Sequence, residues 1–177
     1  MLSKTQQAPT AQHRKPCRAL RYTFEPKDAS KTMIRHHEGN YRWEGVDVHP
    51  YKEEGTHFKS ITRQTLFKGS DGLPVEFRYF EIGEGGHSTL ERHEHAHVVM
   101  VIRGSGEVLV GEDVSPIALN DLVHVPPFTW HQFRATKGEE LGFLCLVSVE
   151  RDRPQRPGTE ELEELTATPA VAGFIKS

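Results

Sequence analysis

Four residues with metal-binding side chains recur at every second position of one short segment. They are Glu91, His93, His95 and His97, and an apolar run at 98–102 follows them directly. Successive side chains of a β-strand point to opposite faces, so a strand here would place all four on one face. Carboxylate and imidazole groups bind Fe(II), Mn(II), Ni(II), Zn(II) and Cu(II). The spacing therefore predicts a metal site, provided that this face points into the protein interior.

The same segment also matches the H-E-x-x-H pattern of zinc proteases, through His93, Glu94 and His97. In those enzymes a helix brings the two histidines together, one turn apart. The β-branched residues that follow, and the glycines on both sides, favour a strand over a helix. The segment therefore indicates a metal site on a strand rather than a protease helix.

His131 lies further along the chain, after the turn signals Asn120 and Asp121 and the proline pair at 126–127. These signals end one predicted strand, and His131 opens the next. In a closed barrel this next strand can return to the first cluster, which otherwise lacks a partner from a distant part of the chain. His131 is therefore the candidate that completes the metal site.

The elements that must position these residues are short runs rich in Val, Ile, Phe and Tyr, interrupted by Gly, Pro, Asn or Asp. Regular short runs with turn signals indicate an all-β sandwich or barrel. Gly104, Ser105 and Gly106 are predicted to form a tight turn between two of the strands. After the strands, Thr159 is the predicted N-cap of one short helix. The predicted strands are 61–67, 74–82, 96–103, 106–112, 121–125, 131–135 and 141–149.

The chain is long enough for one domain with a sizeable core, and it divides into four predicted segments. Residues 1–30 are polar and are expected to form a flexible tail. Residues 31–60 carry isolated aromatic residues and are expected to form an arm that packs on the barrel or on a partner subunit. Residues 61–150 are the predicted barrel, and residues 151–177 are a C-terminal extension that contains the short helix.

Composition argues against several classes of protein. The 177 residues include 22 Lys and Arg against 25 Asp and Glu, and the net charge of −3 gives no reason to expect nucleic acid or a membrane surface as a partner. No apolar run approaches the ~20 residues of a membrane span, and the N-terminus lacks the apolar core of a secretory signal. The two cysteines, Cys17 and Cys145, indicate free thiols in a reducing, cytoplasmic compartment.

The two histidine patches together resemble the paired motifs of the cupin superfamily, whose members are small jelly-roll β-barrels. The resemblance covers about residues 60–150 and implies an all-β cupin-type barrel with an N-terminal arm and a short C-terminal helix. With the closing glycine of the first motif aligned on Gly104, His95 becomes a catalytic group beside the metal. In the other register of the motif, His95 is itself a ligand. The metal ligands that the first register implies are Glu91, His93, His97 and His131.

A cupin with this ligand set implies a mononuclear divalent metal ion, with Fe(II) favoured, and a dioxygenase-like enzyme acting on a small oxygen-bearing organic compound. Two alternatives stay open: a metal-containing binding or regulatory module without turnover, and a non-oxidative isomerase or lyase. Cupins commonly pair, so a homodimer is expected. The predicted substrate contacts are Arg78, Tyr79 and Phe133.

Overall fold

The computed structural model describes residues 33–52 and 55–176. The predicted tail at 1–30 and Cys17 lie outside these described residues. The described strands are β1 (His37–Gly39), β2 (Arg42–Trp43), β3 (His49–Pro50), β4 (Lys59–Phe67), β5 (Val75–His87), β6 (His97–Val110), β7 (Asp113–Ala118), β8 (Leu122–Val125), β9 (His131–Ala135) and β10 (Leu141–Ser148). The described helices are α1 (Thr159–Thr166) and α2 (Pro169–Phe174).

Eight strands, from β3 to β10, form one antiparallel sheet that closes on itself as a barrel. β5 pairs with both β10 and β9, and β6 pairs with the same two strands, which completes the ring. β4 lies beside β5 and β3 lies beside β4, whereas β7 and β8 pair with β6. The architecture confirms the predicted all-β jelly-roll barrel. None of the described helices is long and apolar enough to cross a membrane.

The core fills the barrel because side chains alternate between its two faces. Along β6, Val99 and Val101 are fully buried, while Met100 between them is 43% exposed. The inward side chains pack with Phe80 and Phe143, whose rings stack at a centroid distance of 5.5 Å. Burial of each large apolar side chain contributes about 1.5–3 kcal/mol, so this cluster stabilises the barrel walls that hold the site.

The tight turn predicted at Gly104, Ser105 and Gly106 is wrong, because these residues lie inside the continuous strand β6. Gly104 pairs with β10, whereas Ser105 pairs with β7 and Gly106 pairs with both β7 and β9, so the strand changes partners at this point. Gly104 has a φ of +63°, and a Cβ on it would meet the Glu140 carbonyl oxygen. The glycines therefore allow a bend and a close backbone approach within the strand. The hairpin turn follows later, between β6 and β7, at Gly111.

The arm lies on the barrel of its own chain. The Tyr41 ring stacks on Tyr79 at 5.6 Å with an interplanar angle of 9°, and Trp43 contacts the same ring at 5.2 Å. The Tyr41 hydroxyl donates a hydrogen bond of 3.1 Å to the Ile102 carbonyl. Tyr51 inserts deeper and packs edge-on against Phe80. The isolated aromatics of the arm thus cover the outer wall at one place and enter the core at another.

The C-terminal extension contains two helices rather than the predicted one. The N-cap of α1 is Gly158, not Thr159, and the Glu161 carboxylate accepts a hydrogen bond of 2.9 Å from the Gly158 amide. In α2, Val171 and Phe174 are buried in a second apolar cluster against the barrel. The short sequence of α2 has little helical periodicity of its own, so its packing on the barrel provides most of its stability.

Candidate metal centre

Three histidines from two distant segments meet at one end of the barrel interior. His97 opens β6, His93 lies four residues before it, and His131 opens β9. Their potential ligand nitrogens all lie within 4.8 Å of one another. Two backbone hydrogen bonds between Glu91 and His131, of 3.0 and 3.2 Å, hold the two segments side by side. The structure therefore brings together three of the predicted site residues across a separation of more than thirty positions.

The ring orientations leave the Nε2 atoms for a ligand. Nδ1 of His93 is 2.7 Å from the His95 carbonyl oxygen, and Nδ1 of His131 is 2.9 Å from the Thr129 carbonyl oxygen. A carbonyl only accepts, so both Nδ1 atoms carry the proton and the lone pair is on Nε2. Nε2 of His97 is buried without any hydrogen-bond partner among the described residues. An orphaned buried nitrogen facing two similar rings is the arrangement that a divalent cation satisfies.

Burial keeps these imidazoles neutral. Burial, reinforced by the neighbouring His131 and His93, lowers the pKa of His97 to about 2. Burial also lowers the pKa of His131 to about 4, although the Thr129 carbonyl opposes the shift. The pKa of His93 is lowered for the same main reason, with a further contribution from His95. Neutral imidazoles present lone pairs at neutral pH, which metal binding requires.

Glu91, the predicted fourth ligand, is buried in the cavity wall but is bound to other groups. Its carboxylate accepts hydrogen bonds from the Tyr51 hydroxyl at 3.0 Å and from Lys52 Nζ at 2.8 Å. Lys52 is also held by the Thr89 hydroxyl at 2.8 Å. In the part of the chain that the structure describes, the group of mutually close ligand atoms consists of the three histidines and does not include this carboxylate. Glu91 as a ligand therefore stays a prediction.

His95 lies beside the cluster rather than in it. Its ring stacks on His93 at a centroid distance of 3.7 Å and an angle of 4°, and its Nδ1 is 2.7 Å from Asp152 Oδ1. The other carboxylate oxygen of Asp152 accepts a hydrogen bond of 2.9 Å from the Glu94 amide. Desolvation alone would raise the pKa of Asp152, but the hydrogen bonds from the Glu94 amide and from His95 lower it to about 2. A carboxylate thus holds one side of the His95 ring.

A cavity of about 100 Å³ extends from the three histidines toward the protein surface. Phe80, Phe133 and Phe143 form its apolar wall, and the guanidinium groups of Arg78 and Arg151 line it as well. An apolar wall with a few converging polar groups is typical of a small-molecule site. Besides the three histidines, seven of the described lining residues are ionisable: Tyr51, Arg78, Glu91, His95, Cys145, Arg151 and Asp152.

The predicted substrate contacts occupy two different faces of the barrel wall. Arg78 and Phe133 line the cavity, and the Arg78 guanidinium is 3.2 Å from the Cys145 sulfur. Tyr79 points to the opposite face of β5, where it is fully buried under the arm, and its hydroxyl donates to Glu81 at 3.0 Å. This position does not favour a substrate contact by Tyr79, because the barrel wall separates it from the cavity.

Cys145 is a buried free thiol that also lines the cavity. Its sulfur lies 3.4 Å from Nδ1 of His97, and burial raises the pKa of the thiol. Arg151 and Asp152 also line the cavity, although neither was predicted from the sequence as a site residue. The signal in the sequence is a run of four charged residues at 150–153, shortly after the last strand of the barrel, a position where loops often reach an active site.

The geometry agrees with comparisons to known proteins. A family model described as Cupin domain matches residues 78–147. The chain is 56% identical over 143 residues, which are 80% of this chain and 91% of the other, to 1-methylthio-D-xylulose 5-phosphate methylsulfurylase from Rhodospirillum rubrum.

Two solved structures are similar over nearly their whole length. A cupin 2 conserved barrel domain protein from Rhodopseudomonas palustris is 50% identical with a TM-score of 0.78, covering 82% of this chain and all of the other. A cupin-2 domain protein from Rhodospirillum rubrum is 55% identical with a TM-score of 0.73, covering 80% of this chain and 95% of the other.

Proposed function

This chain belongs to the cupin family, and from that premise we propose that it is a divalent-metal-dependent enzyme that removes the methylthio group from carbon 1 of a 1-methylthio ketose 5-phosphate. The observation that carries the proposal is the 56% identity to an enzyme named for that substrate, over 91% of its length. The buried group of three histidines supports a metal-assisted reaction at the same place.

The metal would be held by Nε2 of His93, His97 and His131. A divalent ion there would act as a Lewis acid toward the carbonyl oxygen at carbon 2 of the substrate. Glu91 stays the predicted fourth ligand, and its carboxylate is bound by Lys52 at 2.8 Å. The donor set of imidazoles accepts several metals, and Fe(II) is the one predicted from the sequence.

The reaction follows from the position of sulfur next to a ketone. A thiol attacks the methylthio sulfur, a sulfur–sulfur bond forms, and the bond between sulfur and carbon 1 breaks. The electron pair stays on carbon 1, where the adjacent carbonyl stabilises it, and a proton then completes a methyl group. The products are a 1-deoxy ketose phosphate and a methyl disulfide, so carbon 1 is reduced while the two sulfurs are oxidised. The co-reactant is a small thiol.

The cavity residues fit the parts of such a substrate. A phosphate group carries a charge of about −1.5 to −2 at neutral pH, and guanidinium groups bind it through paired hydrogen bonds. Arg78 and Arg151 are the cations among the described lining residues. The methylthio group would lie against the apolar wall that includes Phe133. His95 would deliver the proton to carbon 1, because its ring lies beside the histidine cluster and lines the same cavity.

The proposal is tested by incubating the metal-loaded protein with 1-methylthio-D-xylulose 5-phosphate and 2-mercaptoethanol without oxygen, and following the methyl signals by proton NMR. We expect the thioether methyl signal to be replaced by a disulfide methyl and a new carbon-1 methyl. Release of free methanethiol with a dicarbonyl product would contradict the transfer step, and an unchanged substrate would contradict the proposal as a whole.

Two pairs of variants test the assigned residues. Arg151→Gln should raise KM by roughly tenfold through the loss of a charged hydrogen bond, whereas the exposed neighbour variant Arg153→Gln should leave KM unchanged.

His131→Ala should lose the bound metal in elemental analysis, and His124→Ala, which changes an exposed histidine on β8, should keep it. Retention of one metal per chain in His131→Ala would contradict the assigned site.

The dioxygenase-like reaction predicted from the sequence is a second candidate at this site, because three neutral imidazoles also bind Fe(II) in oxygen-using enzymes. It predicts oxygen consumption by the Fe(II)-loaded protein with the same ketose phosphate and without a thiol. A binding module without turnover predicts ligand retention at the metal and no change in the substrate. An oxygen electrode and the NMR assay together distinguish these alternatives from methylthio transfer.

A further inference from the structure

We propose that Asp152 is a positioning residue that holds the His95 ring in the tautomer with its proton on Nδ1, so that Nε2 presents its lone pair to the cavity. The role of His95 as a proton carrier rests on the proposed function, but the tautomer itself does not. Neither His95 nor Asp152 belongs to the group of mutually close ligand atoms, and Asp152 lies 57 positions from His95 in the chain.

The contact is short and supported on both sides. Nδ1 of His95 lies 2.7 Å from Oδ1 of Asp152, and Oδ2 of the same carboxylate accepts the Glu94 amide at 2.9 Å. Stacking on His93 at 3.7 Å prevents the His95 ring from tilting away. With both oxygens engaged and one ring face covered, the pair has little freedom to adopt another geometry.

The backbone holds Asp152 in this place independently of His95. Arg92 and Gln155 exchange two backbone hydrogen bonds of 3.0 and 2.8 Å, which join the segment after β10 to the segment before β6. This bridge lies three residues beyond Asp152 and three residues before His95. The carboxylate is therefore fixed relative to the histidine by the main chain rather than by a flexible surface loop.

The tautomer follows from hydrogen-bond chemistry. An ionised carboxylate only accepts, so the nitrogen that it contacts must carry the proton. A neutral His95 with the proton on Nδ1 then has its lone pair on Nε2, which has no hydrogen-bond partner within the described residues and borders the cavity. Such a nitrogen can take up a proton from a thiol or a substrate and return it, while Asp152 keeps the ring in place.

The test compares Asp152→Asn and Asp152→Ala with the wild type and with Asp113→Asn, which changes an exposed carboxylate at the start of β7. The Zn(II)-loaded proteins are labelled with nitrogen-15, and the His95 tautomer is determined from the ring nitrogen shifts, with His95→Gln used to assign the signals. The same preparations are assayed for kcat and KM, for zinc content and for thermal unfolding.

We expect the wild type and Asp113→Asn to show His95 protonated on Nδ1. Asp152→Asn and Asp152→Ala should shift the tautomer toward Nε2–H and lower kcat by roughly 10- to 100-fold, with KM, zinc content and the unfolding temperature little changed. An Nε2–H tautomer in the wild type, or variants with an unchanged tautomer, would overturn the inference. If the wild type shows the Nδ1–H tautomer but no turnover, the proposed function fails while the positioning stands.

Discussion

At the scale of single residues, the site depends on how burial and hydrogen bonding prepare each imidazole. Carbonyl oxygens fix the proton of His93 and His131 on Nδ1, and the enclosed Nε2 of His97 has no partner among the described side chains and main chain. Because buried unpaired nitrogens destabilise a fold, the cluster costs stability that a bound cation would restore. A cation that binds the Nε2 of His97 would therefore be expected to stabilise the protein.

The destabilisation caused by the buried histidines should depend on pH in the metal-free protein. The pKa of His97 is lowered to about 2 and that of His131 to about 4, whereas both have a pKa of 6.5 in an unfolded chain. At pH values between the folded-state and the unfolded-state pKa, only the unfolded chain has these histidines protonated. The free energy of unfolding therefore decreases as pH falls from 7 to 5. The loss should be roughly 2 kcal/mol for each of the two histidines.

Urea unfolding at pH 7 and pH 5 measures this loss. His131→Gln should reduce the pH dependence by about one histidine's share, while His124→Ala, at an exposed position, should leave it as in the wild type. A wild-type protein equally stable at both pH values would show that these imidazoles are not held neutral by the fold.

At the scale of elements, β6 does most to position the site. Its first residue is His97, its middle crosses from β10 to β7 and β9, and its last residues lie beside His131. One strand thus connects the two histidine patches, and the bend at Gly104 directs its second half toward β9. A distortion of this bend would displace His131 relative to His97.

Gly104→Ala should therefore destabilise the barrel strongly. Its φ of +63° disfavours any side chain, and the added Cβ would meet the Glu140 carbonyl oxygen. The matched control is Gly85→Ala, because Gly85 has a φ of +60° and open space around a Cβ. We expect a loss of about 1 kcal/mol for the control and more than about 3 kcal/mol for Gly104→Ala in urea unfolding. Equal losses of stability would show that the contact with the Glu140 carbonyl oxygen does not add to the destabilisation.

At the scale of the whole molecule, the closed barrel encloses the site, and the arm and the C-terminal extension cover it from two directions. Tyr51 and Lys52 of the arm reach Glu91, while Asp152 of the extension reaches His95. The described parts of the arm and the C-terminal extension therefore supply groups that contact residues of the site, together with the barrel.

The predicted homodimer is testable at this scale. Met100, Leu122 and Leu146 are 43%, 63% and 43% exposed on the neighbouring strands β6, β8 and β10, a face that a second copy would bury. Light scattering should give twice the mass of one chain for the wild type and a single mass for Met100→Glu with Leu122→Glu. Leu73→Glu, on an exposed loop, should remain dimeric. A monomeric wild type would contradict the prediction.

The positions of several strands, and the convergence of His93, His97 and His131, could be predicted from the sequence. Strand runs depend on alternation and turn residues that are adjacent in the chain, which is why the runs at 61–67, 121–125 and 131–135 agree closely with β4, β8 and β9. The predicted turn at Gly104 failed for a related reason. Glycine allows both a turn and a close approach, and only the neighbouring strands determine which of the two occurs.

The sequence by itself determined that this chain forms a β-barrel carrying imidazoles suited to a cation, because local side-chain patterns dictate strands and donor chemistry. Only the tertiary structure decided that Glu91 contacts Lys52, that Arg78 faces the cavity while Tyr79 faces the arm, and that Asp152 meets His95. These contacts join residues far apart in the chain. They depend on strand twist, register and the packing of distant segments, which no local pattern encodes.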